Sequence, residues 1–248
     1  MSNGEPVPAI LYKYLTPERF HVLTDCRVRF TQRKFFPDDH ELQPDYHAYG
    51  TVDEIRRQIE SVGKPLCAIP PRLLAMLIAI NPKHQRKSIE TAVNNIKSFD
   101  QMGILCLSVT ADSEQMWNEY ASQGTGFVVG FDTTHAGFRK LTAPMGVLKV
   151  SYSSEGFSTF LGMMEKTPFE PLYRKQMEYS FEQEWRSLRL LKNLELHSGE
   201  IYISQFDPAC VSRIVVGPDC TLKDGLQELV ATDPRYEHVP IADRRLVK

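Results

Sequence analysis

The chain has 248 residues, 42% hydrophobic and 24% charged, which is enough apolar material to bury a core and too much for a disordered segment. Its net charge of −2 rules out the global cationic field that holds a nucleic-acid backbone, so nucleic acid is not the expected partner. No stretch reaches the roughly 18 apolar residues of a membrane span, and the polar, proline-bearing start MSNGEPVP is unlike a signal peptide, so the expectation is a cytoplasmic protein without a membrane partner.

Residues 9–15 (AILYKYL) read as a first strand, closed by Thr16 as an N-cap before Pro17 and a short helix to Leu23. Residues 26–31 (CRVRFT) alternate like a second strand. A polar loop over 33–50 follows, then helices over 53–62, 71–80 and 83–99, the last with Ile89, Val93 and Ile96 on one face. Residues 102–110 (MGILCLSVT) have strand length. Asp112 and Gln115 form a capping box for a helix carrying Met116, Trp117 and Tyr120. Strands are expected at 127–132, 146–152, 184–191, 201–206 and 213–216, with a mixed helical region over 157–181. A helix over 221–231 and a last strand near 238–242 complete the chain.

No Gly, Ser or Pro linker divides these elements, and they lack regular βαβ alternation. The expected fold class is therefore α+β: a single domain over 1–248 with a mixed or antiparallel sheet and a helical insert in the middle third.

Several chemistries find no motif. Gly124-Thr-Gly126 precedes a strand and lacks the GK[ST] of a phosphate-binding loop, and no GxSxG, HExxH or EF-hand pattern occurs. The five cysteines are Cys26, Cys67, Cys106, Cys210 and Cys220. No two have CxxC spacing, which argues against a zinc ribbon or a disulfide framework. Cys67 and Cys106 lie in apolar runs and read as buried thiols. His40 and His47, with Asp38, Asp39, Glu41 and Asp45, have metal-compatible types, but at a spacing that fits a solvated loop. Arg56, Arg57, Lys83, Arg86 and Lys87 read as solvated helix faces.

Three segments carry a resemblance: Leu11-Tyr12-Lys13-Tyr14; Ser108 with Met116-Trp117, Tyr120-Ala121, Gly126-Phe127 and Gly130-Phe131-Asp132; and Lys175, Tyr179 and Phe181-Glu182-Gln183-Glu184-Trp185-Arg186. Their order and spacing, over about 11–217, resemble the bacterial domain-of-unknown-function family numbered 2971. That family often carries Asn-Asp-Pro-Phe-Glu after its second strand, where this chain reads Pro37-Asp-Asp-His-Glu-Leu-Gln-Pro44. The resemblance brings no activity with it.

In outline the layout is also similar to the ADP-ribosyltransferase fold, which implies NAD as substrate. Cleaving its nicotinamide bond builds positive charge on the ribose, which a nearby carboxylate stabilises. Glu184 would be that carboxylate, with Glu182 two residues earlier on the same strand face, close enough to couple. Tyr12 or Tyr14 would hold the ring, and Lys13 or Ser108 would make a polar contact. Trp117, Tyr120 and Arg186 would complete the binding surface. Strand alternation puts Tyr12 and Tyr14 on one face and Lys13 on the other, so a regular strand cannot line one pocket with all three.

Two other readings stay open. Glu184 and Arg186, which share a strand face, form an internal ion pair, with Lys175 reaching Glu182 and Trp117, Tyr120 and Trp185 packing as core. Alternatively, the chain is a non-catalytic module for a nucleotide, another small molecule or a protein, with Arg186 reading an anion. Where Glu184 points discriminates among them.

Overall fold

The computed structural model describes residues 5–36, 45–47, 51–61, 69–81, 97–154, 158–160 and 169–244. In chain order the first elements are β1 (Ile10–Leu15), α1 (His21–Thr24), β2 (Arg27–Gln32), β3 (Asp45–His47), α2 (Val52–Ser61), α3 (Pro71–Ala79), β4 (Met102–Ser108), α4 (Glu114–Tyr120), β5 (Phe127–Asp132) and α5 (Ala136–Thr142). They are followed by β6 (Leu148–Lys149), β7 (Ser151–Ser153), β8 (Ser158–Phe160), β9 (Arg174–Gln176), β10 (Glu184–Leu190), β11 (Glu195–Ser198), β12 (Ile201–Gln205), β13 (Val211–Val216), α6 (Lys223–Thr232) and β14 (Ile241–Asp243).

Ten strands form one sheet, whose main path runs β11-β12-β2-β4-β1-β5-β13-β14, with β10 and then β6 branching from β4. The β13–β14 pair is parallel and the other pairs of this sheet are antiparallel. The chain is thus α+β with a mixed sheet. Helices α2 and α3 form the described part of the helical insert and pack on each other through Ile55, Ile59 and Ala75. Among the described residues, no helix is long and apolar enough to cross a membrane.

The branch at β4 decides where a site can form. One edge of β4 pairs with β10 from Met102↔Leu190 to Ser108↔Glu184. Its other edge is shared: β2 takes Gly103 and Ile104, and β1 takes only Ser108. Between them β1 and β2 diverge, and the sheet splits beside Leu105, Cys106 and Leu107.

Period-two alternation sorts the sheet into two faces. One face carries Leu11, Leu15, Leu105, Leu107, Val129, Phe131, Trp185 and Ile214, packed beneath Val22 and Leu23 of α1, Phe138 and Leu141 of α5 and Leu226 of α6. On the opposite face Tyr12, Tyr14, Val128 and Val215 pack under Met116 and Trp117 of α4. Further along that face, Met102, Ile104 and Leu188 meet Leu172 and Tyr173.

Several local expectations are corrected. The cap of α4 is Ser113, whose hydroxyl accepts from the Met116 amide, so Asp112 lies one residue outside the helix. The strand expected over 146–152 is divided: β6 pairs with β10, and β7 then leaves to pair in parallel with β9. The described part of 157–181 contains β8, β9 and the 3-10 turns Glu170–Tyr173 and Met177–Glu182 rather than α-helix. The 33–50 loop contains the short strand β3, and both α5 and β11 went unforeseen. Most of the 83–99 helix, Cys67 and most of the acidic-histidine cluster lie outside the described residues. So do Lys83, Arg86 and Lys87; within the described part of that basic group, Arg56 pairs with Asp53 at 3.5 Å. Among the described residues no group of three or more His, Cys, Asp or Glu could hold a metal ion.

Candidate functional site

Tyr12, Ser108 and Glu184 are in register across β1, β4 and β10. Residues directly opposite on neighbouring strands point to the same face, with Cα atoms about 4.5–5.5 Å apart, so the three form one row. They line a pocket of about 210 Å³ at the sheet split, together with Tyr14, Phe35, Phe36, Cys106, Tyr120, Lys175 and Glu182. Of the six residues expected to converge, Tyr12, Ser108, Glu182 and Glu184 line this pocket, whereas Trp117 and Arg186 do not.

Lys13 lines this pocket as well, alongside Tyr12 and Tyr14. The alternation argument against this fails for a definite reason. Lys13 does leave β1 on the other side, but at the split no neighbouring strand closes the sheet. Its long side chain reaches into the gap, and its ammonium donates to the Cys106 carbonyl at 3.0 Å. That oxygen lies where β4 has no strand partner on this edge, so the lysine satisfies a backbone acceptor the split would otherwise strand.

Glu182, Glu184 and Lys175 stand at the pocket floor, and a fourth charged side chain, Arg186, lies behind Glu184. Arg186 follows Glu184 by two residues on β10, so both project to one face. Its Nε and Nη2 donate to Glu184 Oε1 and Oε2 at 2.7 and 2.8 Å, and its Nη1 donates to the Leu172 carbonyl at 2.8 Å. Lys175 donates to Glu182 Oε2 at 2.7 Å and lies 3.8 Å from Glu184 Oε2. The Tyr120 hydroxyl donates to the other Glu182 oxygen at 2.6 Å. All four charges are nearly sealed from solvent, at 5% exposure or less.

Glu182 does not reach this cluster along a strand, as alternation supposed. It ends a 3-10 turn, and Gln183 takes a left-handed conformation (φ 44°, ψ 52°) before β10 begins. The reversal still turns both carboxylates toward Lys175. It is pinned by the Ser108 hydroxyl donating to the Glu182 carbonyl at 2.7 Å and by the Val109 amide donating to the Gln183 carbonyl.

The two acids titrate apart. Burial, and then the charge of Glu184, raise Glu182 above its ordinary value, against the pull of Lys175. Burial alone would raise Glu184 too, but the charge and hydrogen bonds of Arg186, with help from Lys175, bring it down to about 2. The Cys106 thiol is pushed up by its burial and by Glu184, so it stays a neutral lining group.

Two sequence candidates take other places. Trp117 is fully buried beneath α4; its indole donates to the Ala111 carbonyl at 2.8 Å and its ring meets Tyr14 edge-on at 5.5 Å. Arg186 is likewise fully buried, behind Glu184. The expected cluster of Trp117, Tyr120 and Trp185 does not form. Trp185 belongs to the core on the opposite sheet face, and Tyr120 is partly exposed at the pocket rim. Sequence reasoning missed Phe35 and Phe36, which line the pocket, and Tyr152, whose hydroxyl accepts from the Glu184 amide at 2.8 Å. Only the aromatic doublet after β2 offered a signal. Comparison with protein-family models, curated proteins and solved structures finds no match to this chain.

Proposed function

We propose that the chain is a nucleotide-binding module whose pocket at the sheet split receives a planar ring and does not turn the ligand over. One observation carries this: both oxygens of Glu184 are already held by Arg186, so the expected catalytic carboxylate is committed as an internal brace. The walls support a ring, because Tyr12, Tyr14, Phe35, Phe36 and Tyr120 surround the space while Lys13 and Ser108 supply polar contacts. At about 210 Å³ the pocket suits one ring system better than a whole dinucleotide.

The test is calorimetric titration with NAD, a nucleoside and a nucleotide, alongside chromatography for released nicotinamide. Saturable binding without nicotinamide release is expected. Absence of binding by every one of these ligands would overturn the reading.

A second reading, an NAD-utilising ADP-ribosyltransferase-like enzyme, is favoured by Glu182 rather than Glu184. Both Glu182 oxygens also accept hydrogen bonds, but from Lys175 and Tyr120, which themselves line the pocket, and its raised proton affinity suits a carboxylate that activates an acceptor nucleophile. On this reading nicotinamide is released by the wild type and not by Glu182→Gln. The likeness to the transferase fold is one of layout, a weak warrant for chemistry. The resemblance to family 2971 remains an expectation and supplies no reaction.

A further inference from the structure

A second chamber of about 480 Å³ adjoins the ring pocket, sharing Lys13, Tyr14, Thr31 and Tyr120 as common walls. Its character is different. The alternation Arg27-Val28-Arg29-Phe30 on β2 buries Val28 and Phe30 in the core and sends both arginines to the other side. Arg19, from the 3-10 turn after β1, joins them. Among the described lining residues Asp25 is the one carboxylate, and it already accepts from the Thr24 hydroxyl at 3.1 Å.

Among the described residues these cations have few counter-charges. Arg27 has a loose pair with Glu195 at 3.6 Å, while Arg19 and Arg29 have no ion pair among the described residues. The Nε atoms of Arg27 and Arg29 are buried without a hydrogen-bond partner. Leaving a buried charged donor unpaired costs free energy. Arg29 stacks on Phe35 at 5.4 Å, and Phe35 also lines the ring pocket, so the guanidinium stands where the two chambers meet. Burial and the charge of Arg19 both disfavour the Arg29 cation as it stands.

We propose that this second chamber is a phosphate-binding subsite and that the ligand is a nucleoside diphosphate: ring in the inner pocket, diphosphate against Arg19, Arg27 and Arg29. The assignment of the ring rests on the function proposed above; the anion site does not. Guanidinium forks match phosphate oxygens in pairs, and three such groups line one chamber.

The experiment is calorimetric titration of the full chain with adenosine, adenosine diphosphate and inorganic pyrophosphate at low ionic strength, for wild type, Arg29→Gln and Arg29→Lys. The diphosphate is expected to bind roughly tenfold or more tightly than adenosine, with pyrophosphate competing against it. Arg29→Gln should remove that advantage while changing adenosine affinity far less, and Arg29→Lys should recover only part of it. Should Arg29→Gln unfold, exposed Arg19→Gln provides the same comparison. Diphosphate binding no tighter than adenosine, or unaffected by the Arg29 and Arg19 substitutions, would overturn the subsite. Pyrophosphate bound through Arg29 without any adenosine binding would sustain the subsite and overturn the ring pocket instead. Adenosine bound without pyrophosphate would do the reverse.

Discussion

Replacing Arg186 by methionine removes the fork that holds Glu184 while keeping an unbranched side chain in the space. Glu184 is 3% exposed, and the next cation, Lys175, stands 3.8 Å away and is already bonded to Glu182 at 2.7 Å. With charge centres about 4 Å apart, the lost attraction is about 4 kcal/mol at an effective dielectric of about 20. Removing one partner of a buried ion pair typically costs 3–5 kcal/mol, so the two approaches agree. For a chain of this size that corresponds to a fall in Tm of roughly 6–20 °C. The double variant Glu184→Gln with Arg186→Met leaves no unpaired charge at this position and should regain most of the loss, because neutral replacement of a buried pair is often close to neutral. Chemical denaturation of wild type, both single variants and the double variant closes the cycle. If Arg186→Met and the double variant were equally unstable, the cost would come from losing the Arg186 stack on Phe36 at 5.8 Å and its hydrogen bond to the Leu172 carbonyl, and the bracing role of Glu184 would be refuted.

Glu182 gives the opposite pH signature to Glu184. Its folded value is raised above 4.5, so its stabilising contribution is complete below that pH and is lost as pH rises through the folded value. The stability of wild type relative to Glu182→Gln should therefore fall as pH rises above 4.5; a flat difference would contradict it. Glu184, lowered to about 2, stabilises above 4.5, and that contribution disappears as pH falls toward 2, which acid titration of wild type against Glu184→Gln would read. Gly130 lies opposite Tyr12, and a Cβ there would come within 3.0 Å of both the Tyr12 ring and Arg213. Gly130→Ala should cost about 1–3 kcal/mol in denaturation and weaken ligand binding by displacing that ring; wild-type behaviour in both would refute the packing argument. Gln183 is a non-glycine residue in the left-handed region, so Gln183→Gly should stabilise by roughly 0.5–1 kcal/mol, and unchanged stability would deny the strain.

Much of the site's composition was legible because it was local. The spacing of Glu184 and Arg186 on a strand already required a shared face, and their pairing is what the structure shows. The proximity of Lys175 to Glu182 is also a short-range matter, seven residues apart across one turn. The outer arginines were equally visible as alternate residues of β2, but nothing local set them apart from solvated charges. Their shortage of acids is a property of the whole chamber.

By itself the sequence determined which residues face which way: apolar alternation, caps and glycine breaks act within a few residues, so strands, helices and paired charges follow from neighbours in the chain. The tertiary structure alone decided that β4 would share one edge between β1 and β2. That branching opens the split, brings Lys13 into the pocket against its strand parity and sets a ring-sized cavity beside a cationic one. It depends on pairings between segments some 70 to 100 residues apart, whose geometry is set by the packing of both sheet faces and is written in no single stretch of chain.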